Sequence, residues 1–260
     1  GFSDELADWS AIQDQILSAS DDARHWSATA LANSVDGRPG QDGPDRRDDP
    51  DAPVGSAAST RPPEPTADDR SEVEGGQLRD EWRIDGAGAA LGTAVHAALE
   101  LVDFDDPGDL GALAGACAAA EGIPELGSEV ESRLRAALAA PSIELARSAP
   151  HWRELYVAIP AGSGTVEGFV DLCVETDDGL VVVDYKTDEL AGADAVAGKV
   201  RDYRIQGATY AVALEHITAK PVVACRFVFI GPDGVVESDI DDLDSATSEV
   251  RQLLKIDESP

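Results

Sequence analysis

The apolar run Leu180-Val181-Val182-Val183 ends on Asp184-Tyr185-Lys186, and that junction constrains the fold more than any other stretch of the chain. Asp184 and Lys186 are two positions apart, so on an extended chain both side chains leave the same face. A carboxylate and an ammonium emerging together from the end of a buried strand lose hydration and must serve something in return. Upstream, Asp177-Asp178-Gly179 is a hairpin signal, and Thr165–Glu175 reads as the strand that it joins to Leu180–Tyr185. Asp171 and Asp184 fall about equally far on either side of this turn, so neighbouring strands bring their carboxylates together. Two close carboxylates repel each other, and a hard divalent cation such as Mg²⁺ or Mn²⁺ removes the repulsion by accepting oxygen ligands from both.

Around this hairpin the hydrophobic period predicts an α/β domain. Helices are expected over Ala87–Leu101, Asp109–Ala120 and Pro124–Ala140, followed by strands over Glu154–Ile159, Thr165–Glu175 and Leu180–Tyr185. A long helix over Ala193–His216, strands over Pro221–Ile230 and Val235–Glu237, and a closing helix over Ser245–Leu254 complete the core. Residues 4–32 read as one or two helices carrying Leu6, Trp9, Ile12, Ile16 and Leu17 at helical spacing, the tail of a preceding region. From Asn33 the sequence is rich in Asp, Pro, Gly and Ser, as in Arg61-Pro62-Pro63-Glu64-Pro65, and is too poor in apolar residues to offset the entropy of ordering. The expected division is therefore a helical segment over 1–32, a disordered linker over 33–77 and one compact domain over 78–260.

Charge pulls the functional reading the other way. Twenty Lys and Arg against 51 Asp and Glu give a formal net charge of −31, which disfavours a passive phosphate or acidic-membrane binder. Lysine occurs only at Lys186, Lys199, Lys220 and Lys255, while acidic residues sit in nearly every segment. Such a surface is that of a salt-adapted protein, since a Debye length of about 3 Å at 1 M salt removes most of the self-repulsion. The acidity then reports the solvent rather than the ligand, and single cations such as Lys186 and Arg204 remain able to meet phosphate at short range. Because lysine is the residue this composition avoids, Lys186 beside Asp184 marks a site rather than a surface. Cys117, Cys173 and Cys225 are scattered and odd in number, which points to a reducing, cytoplasmic setting without a disulfide framework. No run is long enough for a membrane span, no signal peptide opens the chain, and the absence of methionine even at position 1 reads as a piece of a longer polypeptide.

Two further motifs join the hairpin. Gly92-Thr93-Ala94-Val95-His96 places an imidazole on a small-residue helix one turn from Glu100, and Gln206 with Tyr210 forms an i, i+4 pair on one face of the long helix. The series Gly92–His96, Gly168-Phe169-Val170-Asp171, Asp184-Tyr185-Lys186 and Gln206–Tyr210 resembles the RecB-type branch of the PD-(D/E)XK nuclease superfamily. Within it, the series is most similar to the nuclease domain at the C-terminus of AddA/RecB-like helicase–nucleases. The resemblance spans about residues 78–237 and implies a restriction-endonuclease-like core, with a central mixed sheet of about four or five strands flanked by helices. By that similarity His96, Asp171, Asp184 and the Tyr185 carbonyl are metal ligands, and Asp171, Asp184 and Lys186 are the catalytic set. Lys186 orients or activates water, while Gln206 and Tyr210 organise the site and the DNA strand. Glu154 resembles an acidic position found in many members.

The implied activity is Mg²⁺-dependent hydrolysis of DNA phosphodiesters, with Mn²⁺ as an alternative metal. The implied partners are a single-stranded DNA end and a helicase domain on the same polypeptide or in the same complex, with no membrane partner. The three cysteines cannot supply the four-cysteine iron–sulfur cluster of some relatives, and no GxxxxGK[ST] loop is present for ATP. Two rival readings are a catalytically silent DNA-end or protein-binding module of the same fold, which the intact Asp171/Asp184/Lys186 set disfavours, and a free-standing endonuclease.

Overall fold

A computed structural model describes residues 24–35 and 75–256, apart from positions 163, 189, 191 and 233. Its centre is a six-stranded mixed sheet. In chain order the elements are β1 (Arg24–Ser27), α1 (Ala28–Val35), α2 (Gly75–Leu101), α3 (Leu110–Ala120), a short 3₁₀ turn (Pro124–Leu126), α4 (Gly127–Leu138) and α5 (Pro141–Ser148). Then follow β2 (His151–Ala161), β3 (Gly164–Glu175), β4 (Leu180–Lys186), α6 (Ala193–Thr218), β5 (Val222–Gly231), β6 (Gly234–Asp239) and α7 (Leu243–Leu254). The sheet divides the apolar residues between two cores, and on β3 the alternation breaks at Asp171, so that Val170 and Leu172 face opposite sides. Val170, Val182, Cys225 and Phe227 pack with α1, α6 and α7 on one face, and Leu172, Val181, Val183 and Val228 pack with α2 to α5 on the other.

The expected meander is present. β2 pairs antiparallel with β3 along its length, β3 with β4 antiparallel, and β4 with β5 in parallel through the α6 crossover. The hairpin closes at the expected turn, with the Thr176 amide donating to the Gly179 carbonyl at 2.9 Å. The five strands read from the sequence all form.

Three differences matter. The sixth strand was not expected: Arg24–Ser27, read as part of a helix, lies parallel to β3 with Ser27 opposite Glu167, and the following helix α1 packs on α6. The described part of the N-terminal segment is thus built into the core rather than trailing from another region. Its earlier residues, including Leu6 to Leu17, and linker residues 36–74 lie outside the described residues. Secondly, α2 begins at Gly75 rather than Ala87. Finally, the stretch expected as one helix from Pro124 is a 3₁₀ turn and α4, and a separate helix, α5, opens at Pro141, where proline suits a first turn and not an interior.

On one edge of β3 lies β2. On the other, β4 pairs with Leu172–Glu175 and β1 with Gly164–Glu167. Between β1 and β4 the positions Gly168–Asp171 have no ladder partner on that edge among the described residues. This notch holds the site.

Candidate active site

The β3/β4 ladder stops at Leu172↔Val183, one position short of Asp171 and Asp184. Beyond it the two strands part, and the Tyr185 amide reaches across the gap to donate to Asp171 Oδ2 at 2.6 Å. Helix α2 approaches from the side of the second core. A Cβ on Gly92 would come 2.8 Å from Thr187 Oγ1, so the first glycine of the Gly92–His96 motif lets α2 lie against the end of β4. One turn on, His96 Nδ1 reaches Asp171 Oδ1 at 3.4 Å.

Glu154 arrives from β2, opposite Asp171, with φ at +46°. A left-handed conformation at a non-glycine strand residue is strained, and strain of this kind persists only where the surrounding structure holds it. His96, Glu154 and Asp171 each offer one ligand atom, and these atoms lie within 4.8 Å of one another. One imidazole nitrogen with two carboxylate oxygens is a donor set that can hold a divalent cation, so the residues fit a metal of the implied charge. Glu154 belongs to this cluster as closely as His96 does. Its sequence signal was only the acidic residue opening a strand.

The other half of the site faces α6. Asp184 is 3% exposed, and its Oδ2 lies 2.6 Å from Lys186 Nζ. The same-face placement read from the sequence is therefore realised. Lys186 also donates to Gln206 Oε1 at 2.9 Å, and Gln206 Nε2 reaches Tyr210 Oη at 3.3 Å and Thr29 Oγ1 at 2.9 Å. Gly168 makes room for this relay: a Cβ there would lie 2.8 Å from Tyr210 Cε1. The Tyr203 ring stands 4.3 Å from Lys186 Nζ, and its hydroxyl donates to Asp188 at 2.9 Å. Buried Arg133 of α4 donates to the carbonyls of Thr187 and Ile230, fixing the end of β4 from behind. Neither Tyr203 nor Arg133 was singled out by sequence, because each acts across a tertiary contact.

The electrostatics follow from packing these charges together. Burial works to lower the His96 pKa, but the carboxylates of Asp171 and then Asp184 outweigh it and hold the imidazole above its usual value. Burial would raise Asp171, yet His96, Lys186 and the Tyr185 amide keep it below the ordinary carboxylate range. Asp184 goes the opposite way, raised by burial and by the neighbouring Asp171 charge against the pull of Lys186. Lys186 loses hydration but gains Asp184, Asp171 and Asp188, and stays charged above its usual range. Two neighbouring carboxylates shifted in opposite directions are an arrangement common at functional sites.

Arg204 corrects the sequence reading. It is bound by Asp242 at 2.8 Å and Glu249 at 2.6 Å, linking α6 to α7, and is committed to structure rather than to phosphate. Glu100, one turn beyond His96, is exposed and takes no part in the cluster. Cys117, Cys173 and Cys225 are buried free thiols. No helix among the described residues is long and apolar enough to cross a membrane.

The profile of the PD-(D/E)XK nuclease superfamily matches residues 73–258. Among characterised proteins, an ATP-dependent helicase/nuclease subunit of Carboxydothermus hydrogenoformans is 30% identical over 167 residues, 55% of this chain and 14% of that protein. The corresponding ATP-dependent helicase/nuclease subunit of a Thermoanaerobacter species is 39% identical over 74 residues, 27% of this chain and 6% of that one. The chain thus spans a small fraction of these relatives. A solved structure described as an exonuclease from Eubacterium rectale aligns with 58% of this chain and 65% of that chain at 10% identity, with a TM-score of 0.36.

Proposed function

Since the chain belongs to the PD-(D/E)XK nuclease superfamily, we propose that it is the metal-dependent DNase domain of a helicase–nuclease acting in DNA end resection and recombinational repair. The observation that carries this reading is the notch itself: His96, Glu154 and Asp171 within ligand reach of one another, beside the buried Asp184–Lys186 pair. In the proposed arrangement Asp171, Asp184 and His96 hold Mg²⁺ or Mn²⁺, with Glu154 and the Tyr185 carbonyl completing the ligand set. A divalent cation bound there supplies Lewis-acid stabilisation of charge on the phosphate and lowers the pKa of water.

The chain's own groups supply orientation. Lys186 lies beside Asp184 and donates to Gln206; it orients the attacking water or a phosphate oxygen. Gln206 holds the ammonium in place from α6, and Tyr210 holds Gln206. The domain is the tethered nuclease of a larger chain, and an upstream motor delivers single strands at high effective concentration. The acidic surface fits a salt-rich cytoplasm.

The test is cleavage of linear single-stranded DNA in Mg²⁺ or Mn²⁺ across a range of salt. Cutting is expected to stop in EDTA and in the Asp184→Ala and Lys186→Ala variants. Equal cutting in EDTA or by Asp184→Ala overturns the metal mechanism, and a wild-type chain that binds strands but cuts at no salt concentration is a silent binding module.

A further inference from the structure

We propose that Tyr156 and Phe169 form a stacking subsite for the base next to the scissile phosphate of a single strand. This rests on the nuclease reading and names the form of substrate that the site takes. The two residues are direct cross-strand partners on β2 and β3, with ring centroids 5.2 Å apart and planes at 50°. Val170, between Phe169 and Asp171, packs with α6, so Phe169 turns to the opposite face, the side from which His96 of α2 reaches Asp171. Glu154, two positions before Tyr156 on β2, joins Asp171 through its left-handed backbone. The aromatic pair is therefore the next step along the sheet from the acidic cluster.

Exposure distinguishes this pair from ordinary core packing. Phe169 is 37% exposed, and the other large apolar side chains exposed among the described residues, Leu101, Val223, Val236 and Leu253, are all aliphatic. Its neighbour is pinned, with the Tyr156 hydroxyl donating to Glu167 at 2.5 Å. That carboxylate repels a phosphate but tolerates a neutral base. The cations close to the notch are already engaged, Lys186 with Asp184 and Lys199 with Asp188 at 2.5 Å. On a chain of net charge −31, stacking supplies affinity that owes nothing to counterion release. A base held in a duplex has both faces covered, whereas an unpaired base offers one, so the subsite selects single strands.

The probe is a thymidine oligomer bearing one 2-aminopurine, bound to the 260-residue chain in molar salt with Ca²⁺ in place of Mg²⁺. Wild type is expected to quench the fluorophore, and Phe169→Ala to weaken binding about tenfold. Phe169→Leu keeps the apolar bulk without an aromatic face and should bind as weakly as Phe169→Ala, while Phe169→Trp restores affinity. In cleavage assays the loss falls on KM rather than kcat. A strand of abasic residues should bind wild type as weakly as the thymidine strand binds Phe169→Ala. Wild-type affinity in Phe169→Ala or Phe169→Leu, or equal binding of abasic and thymidine strands by wild type, overturns the proposal. A wild type that stacks the fluorophore yet cuts nothing overturns the nuclease reading alone.

Discussion

The two halves of the notch are built on opposite plans. On the α6 side, the Asp184–Lys186 ion pair continues through Gln206 to Tyr210 and Thr29 in one chain of polar contacts. On the α2 side, Glu154 and Asp171 crowd together with the His96 imidazole, and the backbone of Glu154 is strained to do so. One half is preorganised and the other concentrates negative charge. In the proposed arrangement Lys186, Gln206 and Tyr210 position, while Asp184 and the second half bind, because a pocket of crowded carboxylates gains most from a cation.

The largest effect expected from breaking this contrast is in Asp171→Asn. It should lose about a thousandfold or more in cleavage together with Mg²⁺ binding by calorimetry, whereas Lys186→Gln should lose comparable activity and keep the metal. Equal metal affinities in the two variants would erase the division.

Next is Gly168→Ala, whose Cβ must displace the Tyr210 ring and with it Gln206. About 1–3 kcal/mol of stability should be lost in denaturant titrations, and kcat should fall about tenfold or more with metal affinity retained.

Protonation gives the third. His96 is raised above its unfolded value, so its ion pair contributes to the metal-free fold fully below about pH 6.5 and is lost as pH rises through the folded pKa. A metal needs the neutral ring, so Mg²⁺ affinity should weaken about tenfold per unit as pH falls below that raised value. The slope should flatten in His96→Asn.

Glu154→Gly comes fourth. Relief of the left-handed strain should stabilise the metal-free protein by about 1 kcal/mol in thermal melts while weakening metal binding about tenfold. A variant that is less stable would show the strain to be absent.

The smallest is Thr29→Val, which removes the far end of the relay and should lower cleavage about threefold at unchanged metal affinity. No change would detach the N-terminal segment from the site.

Much of this was legible because it is local. The turn at Asp177-Asp178-Gly179 fixes the register, the two-residue period puts Asp184 and Lys186 on one face, and the helical period pairs Gln206 with Tyr210. The glycines of the motifs carried no such reading; the structure shows what approaches them, Thr187 at Gly92 and Tyr210 at Gly168.

What stayed hidden depends on which elements meet. Arg24–Ser27 has no pattern that could show a parallel partner nearly 140 residues away; it is a strand because β3 offers an open edge where β4 has departed. Glu154 is one acidic residue among 51 Asp and Glu until a positive φ turns it toward Asp171. Arg204 looked free until α7 brought Asp242 and Glu249 to it. Sequence by itself determined five of the strands, the hairpin and the placing of Asp184 and Lys186 on one face, since turn type and side-chain period are set within a few residues. Tertiary structure alone decided the sixth strand, the role of Glu154 and the pairing of Tyr156 with Phe169, since a side chain's partners from other elements are chosen by packing.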